Sequence, residues 1–190
     1  MIEMPAMSLK FHSARTIDDA AAKNGMRYEL VEGRLVVSAV PPPPHQVAGA
    51  RLTRILDAAA PGELETGLGT NLRIGADMLI PDVMLANSEA LRAPAARYLD
   101  SEDVLLVVEM ISPGATFERA WKPRWYAQGG IRFYLEIEFA TAPGVSVHEL
   151  RGGEYERVAE AKAGETLKLV EPFPVSFDPG ELVGPRRSAG

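Results

Sequence analysis

Two carboxylates stand where apolar neighbours make a charge hardest to accommodate. Asp82 interrupts the run LIPDVML and Glu109 interrupts LLVVEMI. Each run reads as a strand buried on both faces, and a buried carboxylate needs a cation, a set of hydrogen bonds or a metal. Taken singly, either residue is as well explained by a buried salt bridge as by chemistry. Taken together, two adjacent central strands that each deliver one carboxylate converge on a point, as a divalent cation requires. Hard oxygen donors select Mg²⁺ or Mn²⁺. With no cysteine, and with His12, His45 and His148 as its histidines, the chain offers little for a zinc site.

Other residues carry weaker signals. Glu29 and Glu32 flank a hairpin turn, where one of them could approach a metal and Glu32 is equally a turn residue. His45 opens a helical segment, where it caps or touches a phosphate, the cap being the plainer reading. Trp121, Trp125, Tyr126 and Tyr134 read as core or rim aromatics rather than base-stacking platforms. Between Thr116 and Arg132, Arg119, Lys122, Arg124 and Arg132 face Glu118 alone, so a locally basic rim is expected beside the carboxylates. Gly67, Gly69 and Gly75 lack both the spacing and the following lysine of a phosphate loop.

The elements that must position these residues follow from pattern. Thr16 is placed to cap a short helix to Lys23, with Gly25 as its stop. YELVEGRLVVS alternates about Glu32-Gly33 as a β-hairpin. The Pro41 to Pro44 run fits neither helix nor central strand, and it ends where His45 and Gln46 open a helix whose Ala48, Leu52, Ile55, Leu56 and Ala59 share one face up to Pro61-Gly62. Glu63 to Ile74 reads as strand, turn, strand. MLIPDVMLA reads as one buried strand, 87–100 as a polar, partly helical connection, and DVLLVVEMIS as the central strand. Pro123 is placed to start a helix that Gly129-Gly130 ends, and IRFYLEIE is a further strand. From Val145, VSVHEL, EYERVAE and TLKLV form an antiparallel extension over 145–177, with a loose tail from 178 to 190. The sum is an α/β fold, a mixed β-sheet flanked by helices, in one domain over 1–190 whose core spans about 27–150.

Bulk properties narrow the function classes. The 190 residues hold 46% hydrophobic side chains, enough for one sizeable core. A formal charge of -6 excludes a protein that coats nucleic acid through its global charge, so a polyanion would need a local surface. The absence of cysteine fits a reducing compartment, and the charged N-terminus lacks the apolar core of a signal peptide, so a cytoplasmic protein with no membrane partner is expected.

The ordered series YELVEGRLV, PPPPHQ, IPDV, VVEMISP, then a lysine followed by WYAQGGI and a strand with Tyr134, resembles the Uma-type family of restriction endonucleases in the PD-(D/E)xK nuclease superfamily. The resemblance covers about Arg27 to Leu150. It implies a restriction-endonuclease-like fold and a Mg²⁺- or Mn²⁺-dependent endonuclease that hydrolyses phosphodiester bonds of nucleic acid, DNA before RNA, leaving a 5′-phosphate and a 3′-hydroxyl. It carries over directly at Pro81-Asp82 and Glu109, as metal ligands. The superfamily pattern puts lysine two residues after the glutamate, where this chain has Ile111. In Uma-type proteins the lysine sits on the following helix, the place of Lys122, which the resemblance makes the third catalytic residue. Without it, Lys122 would be read as a solvated surface lysine. Superfamily nucleases often form homodimers, but no exposed apolar stripe argues for one here. Two other classes stay open: a nuclease-fold binding or assembly module without catalysis, and a hydrolase using the two carboxylates as acid and base, which would have no need of Lys122.

Overall fold

A strand that is apolar at every position but one must be covered on both faces, and Val104–Ile111 (β9), broken only by Glu109, is the strand around which the molecule is built. The computed structural model describes residues 10–13, 26–111, 116–139 and 142–184, with the side chains of 10–13 and 116–120 outside that description. The expected helix 16–23 therefore lies outside the described residues. Lys10–Ser13 (β1), Met26–Val31 (β2) and Arg34–Ala39 (β3) precede a helix, Pro43–Ala59 (α1). Then come Leu64–Leu68 (β4), Leu72–Ile74 (β5), Asp77–Leu79 (β6), Val83–Asn87 (β7), Ser88–Arg92 (α2), Leu99–Asp100 (β8) and β9. Thr116–Gln128 (α3), Phe133–Glu138 (β10), Gly144–Arg151 (β11), Glu154–Lys162 (β12), Leu167–Leu169 (β13) and Val175–Phe177 (β14) complete the order.

The strands make two mixed six-stranded sheets, ordered β1-β3-β2-β6-β5-β8 and β12-β11-β10-β9-β7-β4, and a separate β13-β14 pair. β9 and β10 are parallel, and α3 is the crossover that such a pair needs. Alternate residues of β9 serve different cores. Leu106, Val108 and Met110 pack with Leu52 and Leu56 of α1, whereas Val107 packs with Trp125 and Tyr126 of α3. Glu109 has the parity of Val107, so the pleat sends it towards α3.

The hairpin is as expected, β2 against β3, with Glu32 and Gly33 at φ of 50° and 70° in the left-handed turn. Four expectations change. Pro43 and Pro44 belong to the first turn of α1, where a missing N–H costs nothing. MLIPDVMLA is two strands rather than one: β6 lies in the first sheet, β7 in the second, and Pro81, which cannot donate to a ladder, stands between them. Pro123 falls inside α3 instead of starting it. The segment after Asp178 is not loose throughout, because Asp178 caps a 3-10 turn, Pro179–Leu182, whose Leu182 is buried. Among the described residues no helix is long and apolar enough to cross a membrane.

Candidate active site

β7 runs antiparallel to β9 with Val83 opposite Val108, and the Asp82 N–H donates to the Val108 carbonyl at 3.1 Å. This ladder sets Asp82 at the edge of β7, alongside Val108 to Met110. Its carboxylate is buried and saturated with donors: Arg27 Nη1 donates to Oδ1 at 2.9 Å and the Met110 N–H to Oδ2 at 2.8 Å. His45 Nε2 stands 3.4 Å from Oδ2 and 3.1 Å from the Met110 carbonyl, which can only accept, so Nε2 carries a proton. Burial works against ionising Asp82. The hydrogen bond from His45 and the charges of Arg27, His45 and Lys122 outweigh it and hold the carboxyl well below the usual range.

Glu109 sits behind Asp82, at 3% exposure. Lys122 and Tyr126 are one helical turn apart on α3 and so share a face. Lys122 Nζ lies 3.0 Å from Glu109 Oε1, and the Tyr126 hydroxyl donates to the same oxygen. Lys122 also lies 3.0 Å from Glu29 Oε1, and Glu29 in turn accepts the Ile80 N–H at 2.8 Å. The Ile80 carbonyl accepts from Lys122 at 3.4 Å and from Arg27. Burial pushes the Glu109 carboxyl up to about 7, opposed by Lys122 and reinforced by the charges of Asp82 and Glu29. For Lys122 burial alone would favour the neutral amine, but Glu109 and Glu29 reverse that and keep it protonated at every ordinary pH. Burial and the neighbouring Glu109 likewise raise the Tyr126 hydroxyl well above its usual value.

The structure therefore brings Asp82, Glu109 and Lys122 into one buried cluster and adds three residues to them. Glu29, weighed with Glu32, joins the cluster, while Glu32 is an exposed turn residue whose N–H donates to Asp77 at 2.7 Å. His45 does not cap α1, whose N-cap is Pro42; it reaches the carboxylate instead. Arg27 gave no sequence signal beyond being one polar residue at the start of an alternating strand. The expected basic rim is not assembled as such. Lys122 is 4% exposed, and Arg132 pairs with Glu149 at 3.0 Å and Glu171 at 3.6 Å. Arg124 lies over the exposed Trp121, and the side chains of Glu118 and Arg119 are outside the described residues.

The donor set fits a hard divalent cation in kind. Its oxygens come from carboxylates and a backbone carbonyl, and both donors to Glu109 use Oε1, so that Oε2 takes no bond from either. Three carboxylates, Glu29, Asp82 and Glu109, face the two permanent cations Arg27 and Lys122, an excess of negative charge that another cation would relieve. Among the described residues no group of three or more His, Asp or Glu side chains is set out as a ready ligand cage.

Comparison with known proteins agrees with this architecture. A search of curated proteins found no match. A solved structure described as "a putative nuclease belonging to DUF820" from Anabaena variabilis ATCC 29413 superposes with a TM-score of 0.64. It is 13% identical, over 87% of this chain and 94% of the other, and so shares the fold. The sequence profile of Uma2, described as "Putative restriction endonuclease", matches residues 2–181. This chain belongs to the Uma2 family.

Proposed function

We propose that the protein is a divalent-metal-dependent nuclease that hydrolyses phosphodiester bonds of nucleic acid, with Asp82 and Glu109 as metal ligands and Lys122 as the catalytic cation. The observation that carries this reading is the convergence of two buried carboxylates, from the neighbouring strands β7 and β9, with a lysine 3.0 Å from one of them. Family membership and the shared fold point the same way.

A Mg²⁺ or Mn²⁺ ion held by Asp82 and Glu109, with the Met110 carbonyl beside them, would supply Lewis-acid polarisation of the phosphate and a water of lowered pKa. The chain's own groups do the rest. Arg27 and the Met110 N–H fix the Asp82 carboxylate through one oxygen each, which sets its orientation before substrate arrives. Tyr126 and Lys122 fix Glu109 through Oε1. Because Glu29 and Glu109 hold Lys122 protonated, its role is a fixed positive charge that stabilises the anionic transition state, and proton removal from water falls to another group. His45, carrying a proton on Nε2, adds a hydrogen-bond donor beside Asp82.

A second reading, a nuclease-fold binding module without catalysis, is favoured by one observation: the Arg27 guanidinium already occupies Asp82 Oδ1. One experiment separates the two. Purified protein is incubated with a labelled DNA oligonucleotide and with RNA, in Mn²⁺ or in EDTA, beside Asp82→Asn. The nuclease reading expects Mn²⁺-dependent cleavage, with DNA cut in preference, that Asp82→Asn lowers by at least about a hundredfold. Equal cleavage by Asp82→Asn, or no cleavage of either polymer, sinks it and leaves the binding module.

A further inference from the structure

A cleft of about 460 Å³ opens directly onto Asp82. Arg27, His45 and Asp82 give it a charged and polar side, Met26, Val40, Leu68 and Ile80 an apolar one, and Tyr28, Gln46 and Asn71 also line it. Met26, Val40 and Leu68 are 40%, 49% and 50% exposed, so the apolar ledge stands in water beside the charged side. Glu109 and Lys122 do not line the cleft and lie beneath it.

The wall is fixed to the carboxylate by the backbone. Gly69, at φ 58°, turns the chain after β4 and donates its N–H to the Asp82 carbonyl at 3.0 Å. Leu68 lies against α1 at Gly49, where a Cβ would meet Leu68 Cδ1 at 2.8 Å. Whatever packs on Leu68 is therefore held at a set position relative to Asp82.

Size and charge choose the occupant. The volume lies within the range of roughly 300–1,000 Å³ typical of sites for one small molecule or one nucleotide, and a double helix cannot enter it. A duplex footprint also requires many cations, about six to ten for a typical phosphate contact set. Here the chain carries a charge of -6, Lys122 is consumed by Glu29 and Glu109, and the cleft offers Arg27 and His45. One guanidinium and one imidazole N–H donor suit a single phosphate. Arg27 also has a buried Nε with no acceptor among the described residues, while Nη1 and Nη2 are used.

We propose that this cleft is a nucleobase pocket: an unpaired base packs against Met26, Val40 and Leu68 while its phosphate meets Arg27 and His45 beside Asp82. The substrate is then single-stranded nucleic acid, or a nucleotide flipped from a duplex, because only an unstacked base presents both faces to such walls. The assignment rests on the nuclease reading and deepens it by naming the substrate class.

The test uses the full chain and an oligonucleotide carrying 2-aminopurine, free or annealed in a perfect duplex. Binding is measured in EDTA and cutting is measured in Mn²⁺. The expected result is single-strand binding about tenfold tighter than duplex binding, the scale of one packed base, with a change in 2-aminopurine emission for the single strand. Leu68→Ser and Val40→Ser, both at half-exposed positions, should abolish that emission change and weaken single-strand binding while both variants keep the wild-type circular dichroism spectrum. Equal binding and equal cutting of the two substrates, with emission indifferent to both variants, overturns the pocket and leaves the nuclease reading standing. Base-dependent binding without cutting in Mn²⁺ supports the pocket and overturns the nuclease.

Discussion

Replacing Glu109 by Gln should stabilise the protein at alkaline pH, although it removes a residue assigned to the active site. The Glu109 carboxyl is pushed up to about 7 by burial, against an ordinary value near ~4.3. An acid whose pKa is raised on folding binds more protons folded than unfolded, so its contribution is complete below the unfolded value and is lost as pH rises towards 7. At about 1.4 kcal/mol per pH unit, keeping Glu109 ionised above that point costs the fold about 4 kcal/mol. Glutamine still offers an oxygen to Tyr126 and Lys122, and Lys122 keeps Glu29 at 3.0 Å. The charge assistance given up is worth about 1–2 kcal/mol, so the net gain at about pH 8 is about 2–3 kcal/mol. At about pH 5 wild-type Glu109 is already protonated, and the gain disappears. Urea unfolding followed by circular dichroism in EDTA at both pH values measures this directly. If Glu109→Gln is the less stable protein at about pH 8 by about 1 kcal/mol or more, Glu109 is ionised without penalty and the cluster is an ordinary structural ion pair.

Arg27→Met should tighten Mn²⁺ binding by about tenfold in calorimetric titration, because Nη1 competes with a cation for Asp82 Oδ1 at 2.9 Å; weaker binding would make Arg27 an aid to the site rather than a competitor. Gly67→Ala should cost about 1–3 kcal/mol in urea unfolding, since its Cβ would meet Thr70 Oγ1 at 2.7 Å, Leu91 at 3.1 Å and Met84 at 3.3 Å. His148 has its pKa lowered by burial, and among the described residues its buried Nδ1 has no hydrogen-bond partner. A base whose pKa falls on folding contributes stability that is whole above its unfolded pKa, about 6.5, and lost as pH drops below it. His148→Phe keeps the stack on Tyr134 at 5.5 Å and should unfold with a flatter acid limb than wild type between about pH 6.5 and 5.

What could be read in advance follows from where periodicity and burial act locally. β9 and α1 were legible because a doubly covered strand is apolar at nearly every position and a one-sided helix is apolar at helical spacing. The same logic marked Asp82 and Glu109, charges in runs that leave no room for them. It failed at MLIPDVMLA, because an apolar run does not state which sheet its two ends join, and Pro81 marked the break without marking the change of sheet. Pro123 misled for a related reason: a proline fits a first turn best, yet α3 accommodates one in its interior. Lys122 was visible through family resemblance alone, since nothing in RAWKPRWYA distinguishes an inward lysine from a solvated one. Arg27, Glu29 and His45 reach the cluster through contacts distant in sequence, Arg27 to Asp82 across 55 residues, Glu29 to Ile80 across 51 and His45 to Asp82 across 37. No local pattern encodes such contacts.

The central claim is that Asp82 and Glu109 share a divalent cation. A crystal of the protein grown with Mn²⁺ and measured at the manganese edge tests it most directly. The account predicts one anomalous peak within coordination distance, about 2.0–2.3 Å, of a carboxylate oxygen from each of Asp82 and Glu109, with the Met110 carbonyl beside it and Arg27 displaced from Oδ1. A crystal with manganese bound elsewhere, or with none and the Arg27–Asp82 pair intact at saturating Mn²⁺, would contradict it.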